Sequence, residues 1–399
     1  MSVIRKSATP SWAKVESAML GAVYSGLPDQ ASTQLEQEYV FPGAVLLVGV
    51  GDNVVFNKAF GCRSLVPEQA PVQLNTVFDV AALTQVLVTV PLAMQMVDRN
   101  ALDVDSRLSR IFQTFGIHGK ERMSVRHLLT HCSGYPASMP FYRQIAAADR
   151  GARAGIMGTR GAVEAIYREI YQGKLDNLPG KVCNYSDVGF ILLGHALEVV
   201  GGMNLDKLTL RNIIAPLMLQ STGFIDLSTV QRRGLEPDTE AIASSGYCSW
   251  RGRVLVGEVH DDNAWAMGGV AAHSGIFSSA ADIHRIASHL LDCWHGRGGL
   301  FSREVVKMFW SRDNSLSDSC WALGWEMPKS KISSCGRYFS QASVGCLGHT
   351  GCSLWIDPEQ EITVVLLTNA IHPEIDKDRQ TAFSAFLPYV HDLVMEALA

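Results

Sequence analysis

Two apolar runs interrupted by short polar turns lie near opposite ends of the chain. Gly43–Val50 (GAVLLVGV), the turn Gly51-Asp52-Asn53 and Val54–Phe60 (VVFNKAF) read as an antiparallel hairpin, with turn residues that tolerate the backbone a tight reversal needs. Cys352–Ile356 (CSLWI), the turn Asp357-Pro358-Glu359-Gln360 and Ile362–Leu367 (ITVVLL) read as a second hairpin. Between them, apolar residues recur at helical spacing over Leu83–Arg99, Arg122–Leu129 and Ser186–Val200. Amphipathic helices are expected over about Ser11 to Tyr24 and about Asp378 to Leu398, the latter kinked or broken at Pro388. Strands at both ends around a helical middle predict an α/β plus all-α architecture. One antiparallel sheet, built from both chain ends and flanked by terminal helices, carries an inserted helical lobe. The expected division is an αβ lobe from residues 1–80 and 325–399 and a mainly helical lobe from 81–324. The cleft between them is the expected binding site.

Composition narrows the function classes. The 399 residues carry 34 Lys+Arg against 39 Asp+Glu, a net charge of −5, so no broad attraction to nucleic acid or an anionic membrane is expected. Hydrophobic residues make up 47% and charged residues 18%, which supports a filled core and excludes wholesale disorder. Nine scattered cysteines, an odd number with no CxxC pair, predict a reducing compartment rather than a disulfide framework or a thiolate zinc site. The opening MSVIRKSATPSWAKVE has no apolar signal core, and the longest apolar stretch, Val86 to Val97, is too short to span a bilayer. A cytoplasmic protein with no metal and no cofactor is expected. Generic motifs are absent: there is no GxSxG, HExxH or GxxxxGK[ST]. Gly49-Val50-Gly51 starts like GxGxxG, but Val54 stands where the third glycine belongs.

Several longer segments carry a resemblance. They include FPGAVLLVGVGDNVVFNKAFG (Phe41–Gly61), FDVAALTQ (Phe78–Gln85), LLTHCSGYP (Leu128–Pro136) and NYSDVGFILLGHALE (Asn184–Glu198). NAWAMGGVAAHSGIFSSAADI (Asn263–Ile283) and SLWIDPEQEITVVLLTN (Ser353–Asn369) follow in order. Together they resemble the serine β-lactamase and penicillin-binding-protein superfamily, in its class C-like branch with esterases and D-amino-acid peptidases. The resemblance covers nearly the whole chain and implies a β-lactamase-like (penicillin-binding-protein transpeptidase) fold.

It also implies three catalytic motifs. The first, SxxK, puts a serine nucleophile and a lysine on one face of a buried helix, where the amine helps deprotonate the hydroxyl. In this register Ala82 takes the serine position and Gln85 the lysine position. A methyl group forms no acyl-enzyme, and an amide has no titratable site to act as base. The second motif is met by Tyr185-Ser186-Asp187, where the resemblance implies proton transfer for the tyrosine and a substrate hydrogen bond for the third residue. The third, KTG or HTG on the strand edging the cleft, has two placements. A gapless match back from Ser353-Leu354-Trp355 puts Cys346-Leu347-Gly348 there. The rival keeps His349-Thr350-Gly351 but deletes three residues from the strand or turn, which must be absorbed outside the pairing. The gapless reading is preferred.

Remaining candidates are weaker. Cys346 and Cys183 are thiols near the motif positions, and a nucleophilic thiol needs a depressed pKa. Thr84 is phased away from position 82. His131-Cys132-Ser133 reads as a helix end and turn, and His260-Asp261-Asp262-Asn263 as a polar loop bonding its own backbone. The functional expectation is a β-lactamase-fold pseudoenzyme that holds a small-molecule or peptide ligand, or a protein partner, in the cleft of Tyr185, Asp187, Cys346, Leu347, Gly348, His349 and Thr350. The alternatives are a hydrolase or acyl-transfer enzyme rewired onto Tyr185, Asp187 or Cys346, and a structural or interaction protein.

Overall fold

The computed structural model describes residues 11–23, 39–152, 155–234, 237–316, 319–329 and 333–399. The first ten residues of the opening segment and Tyr24, the expected end of the first helix, lie outside them. The two predicted hairpins form: β1 (Gly43–Val50) pairs with β2 (Asn53–Ser64), which extends to the short β3 (Ala70–Pro71). From the other end, β4 (Val344–Gly348), β5 (Cys352–Asp357) and β6 (Ile362–Thr368) form an antiparallel meander. The halves join where β1 pairs with β6, Leu46 opposite Leu366, giving the order β3-β2-β1-β6-β5-β4.

Alternation along the strands fills two cores. Ala44, Leu46 and Val48 of β1 pack with Val364 and Leu366 beneath the terminal helices α1 (Ala13–Ala22) and, at the far end, α5 (Lys377–Leu398). Val45, Leu47, Val365 and Leu367 point the other way, into the core shared with the middle of the chain. That two-sided burial explains why β1 reads as a continuous apolar run. α5 continues through Pro388, so the expected break does not occur.

Within the middle segment, the stretch read as one helix from Leu83 opens with a wide π-type turn over Gln85–Thr89, where the Val90 N–H reaches back to the Gln85 carbonyl. It then continues as α2 (Val90–Asp98), and the middle pattern after Ser186 becomes α3 (Asp187–Gly201). The helix expected from Arg122 is shorter, Val125–Leu129, because Ser124 caps it in reciprocal hydrogen bonds with His127. α4 (Ala280–His295) lies against the sheet: His284 Nδ1 is 2.8 Å from Thr363 Oγ1, and a Cβ on Gly49 would fall 2.1 Å from the His284 ring. Among the described residues no single helix is long and apolar enough to cross a membrane.

Candidate functional site

The turn that presents Ala82 is held under tension and tied down from behind. Ala81 adopts φ +48°, a conformation costly for a residue with a Cβ. Asp79 accepts the Ala81 N–H at 3.0 Å through one oxygen and the His260 N–H at 2.7 Å through the other. A single buried carboxylate thus locks this turn to the His260 loop. Thr350 hydroxyl donates to the Asp79 carbonyl at 2.8 Å and fixes the turn between β4 and β5 to the same point.

β4 runs beside this turn. Gly348 has no Cβ because one would lie 2.5 Å from the Val80 carbonyl and 3.3 Å from Ala81 Cβ. Cys346, on the same face two residues earlier, donates its thiol to the Ala82 carbonyl at 3.5 Å. Cys346 is thus the neighbour of Ala82, while His349 stands beyond the strand end, its Nε2 3.3 Å from His260 Nδ1.

On the opposite wall, Gln85 Nε2 donates to the Tyr185 hydroxyl at 2.7 Å, and that hydroxyl donates to Asp187 Oδ1 at 2.8 Å. Burial first, then the Asp187 charge, pushes the Tyr185 phenol well above its ordinary value. Burial likewise raises Asp187, only partly offset by His273. Behind them His131 packs at a tilt, its ring centroid 4.7 Å from that of Tyr185, and accepts the Ser186 N–H at 3.1 Å. Desolvation pushes this imidazole down to about 3, which favours the neutral ring.

These walls enclose a cleft of about 820 Å³ lined by Ala82, Tyr185, Asp187, Leu347, Gly348 and His349 among others. Cys346 and Thr350 do not line it: both are buried behind it. Thr84 hydroxyl accepts the Ile276 N–H at 3.1 Å, away from the cleft. Burial pushes the Cys346 thiol far up, with Glu326 adding to the effect.

Sequence reasoning missed His273. It lines the cleft beside Asp187, with Nε2 3.0 Å from Asp261 Oδ1, and both side chains are largely buried. Burial disfavours the charged imidazole, yet the Asp261 charge and hydrogen bond outweigh it and raise the His273 pKa. Burial would raise Asp261, but the His273 charge, its hydrogen bond and the Ala264 N–H hold that carboxyl below its ordinary range. Asp261 also caps the short helix Asp262–Ala266 through that N–H at 2.7 Å, so the polar loop does bond its own backbone as expected. Its additional role as a counter-ion had no local sequence signal. His260 is pushed down to about 3, by burial and then by the neighbouring His349 and Arg251 charges. No Lys or Arg lines the cleft among the described residues, and Asp262 is neutralised from outside by Arg251 at 3.1 Å. Nor does any group of three or more His, Cys, Asp or Glu there have metal-holding geometry.

Comparison with known proteins agrees with this architecture. The family profile described as Beta-lactamase matches residues 28–385. A protein of Bacillus subtilis named N-acetylmuramyl-L-alanine amidase is 30% identical over 364 residues, covering 85% of this chain and 79% of that protein. A putative D-alanyl-D-alanine carboxypeptidase of Escherichia coli is 28% identical over 360 residues, covering 84% and 80% respectively. Among solved structures, the octameric penicillin-binding protein homologue from Pyrococcus abyssi superposes with a TM-score of 0.66 at 20% identity, covering 89% of this chain and 74% of that one. The sheet assembled from both chain ends, the cleft against its edge strand and the length of the match have one explanation: the chain belongs to the β-lactamase family, with its serine-hydrolase fold.

Proposed function

We propose that this protein binds a small-molecule or peptide ligand in the cleft between Ala82 and β4 without forming an acyl-enzyme. One observation carries the reading: the residue aligned with the family's nucleophile offers the cleft only a methyl group, and Gln85, aligned with its lysine, spends its amide on Tyr185. Tyr185 is a poor substitute base. Its lone pair accepts the Gln85 amide, its proton goes to Asp187, and burial opposes its ionisation. Cys346 is a poor substitute nucleophile, since its thiolate is disfavoured and it stands behind the cleft wall. Loss of one member of a serine catalytic unit costs on the order of a million-fold in turnover. Both aligned groups are replaced here.

The cleft's charge favours a class of ligand. With no Lys or Arg on its walls among the described residues, and Asp187, Asp261 and Asp262 lining it against the imidazoles of His260, His273 and His349, it suits a neutral or ammonium-bearing group better than an anion. The relatives' names make a D-alanyl-D-alanine peptide with a free amino terminus and an amidated carboxyl terminus the first ligand to test. Intact mass spectrometry after incubation with penicillin or a fluorophosphonate should show no adduct, while calorimetry should show the peptide binding and its N-acetylated form binding less. A stoichiometric adduct on the unaltered chain would overturn the non-acylating reading, and no heat from either peptide form would count against this ligand class.

A further inference from the structure

Cys132 follows His131 in the turn after the helix Val125–Leu129, and Cys183 lies two residues before Tyr185. The main chain holds these segments side by side: Gly180 N–H donates to the Cys132 carbonyl at 2.8 Å and Asn184 N–H to the His131 carbonyl at 2.9 Å. Both thiols converge on one acceptor, the Thr130 carbonyl, at 3.3 Å from Cys132 Sγ and 3.4 Å from Cys183 Sγ. Their mutual interaction, ahead of the opposing desolvation, holds the Cys132 thiol below its ordinary value and raises its partner's. Cys132 is buried, whereas Cys183 is half-buried and gives the pair its contact with solvent.

We propose that Cys132 and Cys183 form an oxidative modification site, in which a peroxide joins them by an intramolecular disulfide. One S–S bond forms as two S–H bonds break. The two protons and two electrons pass to hydrogen peroxide, which leaves as two waters. A thiol pair reacts this way when one sulfur is stabilised as thiolate and the second waits within reach. Two other buried thiols are held in the protonated form: burial pushes Cys335 up to about 11 and Cys352 up to about 12. The bond would pin the segment carrying Tyr185 and Asp187 to the turn carrying His131, whose ring already packs against Tyr185. It would therefore stiffen one wall of the cleft whether or not that cleft binds peptides.

The test uses the full chain, reduced, exposed to hydrogen peroxide, quenched with N-ethylmaleimide and analysed by intact mass and peptide mapping. The expected product has lost two hydrogens, contains a Cys132–Cys183 linked peptide, and returns to the starting mass with dithiothreitol. Cys183→Ser, at the half-buried position, should fold and abolish the link. Cys132→Ala provides a second variant with the same expected loss. A link from Cys183 to Cys320, whose charge Cys183 also feels, would overturn the proposal. So would full alkylation of Cys132 and Cys183 while other cysteines oxidise.

Discussion

Replacing Asp261 by asparagine removes a charge from the cleft wall while leaving its shape. The asparagine oxygen can still accept the Ala264 N–H that caps the short helix, now 2.7 Å away, and a hydrogen bond from His273 Nε2, now 3.0 Å away. What disappears is the ionic part of a pair whose side chains are 23% and 1% exposed. Stripping a buried charge of its partner outright costs about 3–5 kcal/mol. The imidazole escapes much of that by releasing its proton, so the expected loss is about 2 kcal/mol, typical of a hydrogen bond to a charged group. The pH dependence has a definite sign. His273 has a raised folded pKa, so its contribution is fully present below the unfolded value of about 6.5 and fades as pH rises through the folded value. Asp261 has a lowered one, so its contribution is present above about 3.9 and fades as pH falls further. The stability gap between parent and D261N should thus be widest at about pH 5 to 6.5 and narrow toward about pH 9. Urea unfolding followed by tryptophan fluorescence across that range measures it. A gap that stays constant with pH, or a variant more stable than the parent at about pH 5.5, would refute the ion pair.

Two further outcomes are expected. Gly348→Ala drives a Cβ into the Val80 carbonyl and should cost about 1–3 kcal/mol, lowering the melting temperature, whereas Gly223→Ala, with nothing within 4 Å of its Cβ, should not; equal melting temperatures would show that β4 does not press on the Ala82 turn. Acid should destabilise the fold well before its carboxylates protonate. His131 and His260 are pushed down to about 3 and His372 and His391 to about 4, chiefly by burial, and His372 is locked neutral between the Leu65 N–H at 2.8 Å and the Ser245 carbonyl at 3.0 Å. Folded pKa values below the unfolded one mean that stability is full above about 6.5 and falls as pH drops, by up to about 1.4 kcal/mol per pH unit for each ring. Those four outweigh the single raised histidine, His273, so a urea midpoint unchanged between about pH 7 and pH 5 would contradict their neutral burial.

What could be read from the sequence was whatever local pattern encodes. The hairpins were legible because turn residues such as Gly51, at φ +56°, sit between apolar runs, and one sheet from two ends follows from pairing them. Neither the bulge opposite Val48 and Gly49, which leaves Val55 of β2 unpaired, nor the close approach of His284 to Gly49 from a helix far along the chain was legible. The same holds for the cleft. Ala82 and Gln85 were marked by the resemblance through FDVAALTQ, and Tyr185 and Asp187 through NYSD. The Asp261–His273 pair and the Asp79 link to His260 exist only after distant loops meet. Whether Cys346 or His349 neighbours Ala82 depended on how many residues the turn after β4 absorbs, and the structure puts the thiol under the Ala82 carbonyl.

The donor–acceptor order along the Gln85 wall bears on what reinstating the old residues could do. Gln85 to Tyr185 to Asp187 is a satisfied chain in which each buried polar group has a partner and no cation is required. The wall is therefore stable as it stands, and Gln85→Lys would replace one donor to Tyr185 by another, so a folded double variant A82S/Q85K is expected. Its serine would then have a nearby amine. The opposite wall would still present the apolar Leu347 with Cys346 buried behind it, and neither supplies the cation or hydroxyl that the resemblance implies there. Acylation by penicillin should consequently be absent from Ala82→Ser alone, weak in the double variant, and strengthened when Cys346→Lys and Leu347→Thr are added. Equal labelling of the single variant and the four-residue variant would show that the amine and the third motif are not what the cleft lacks.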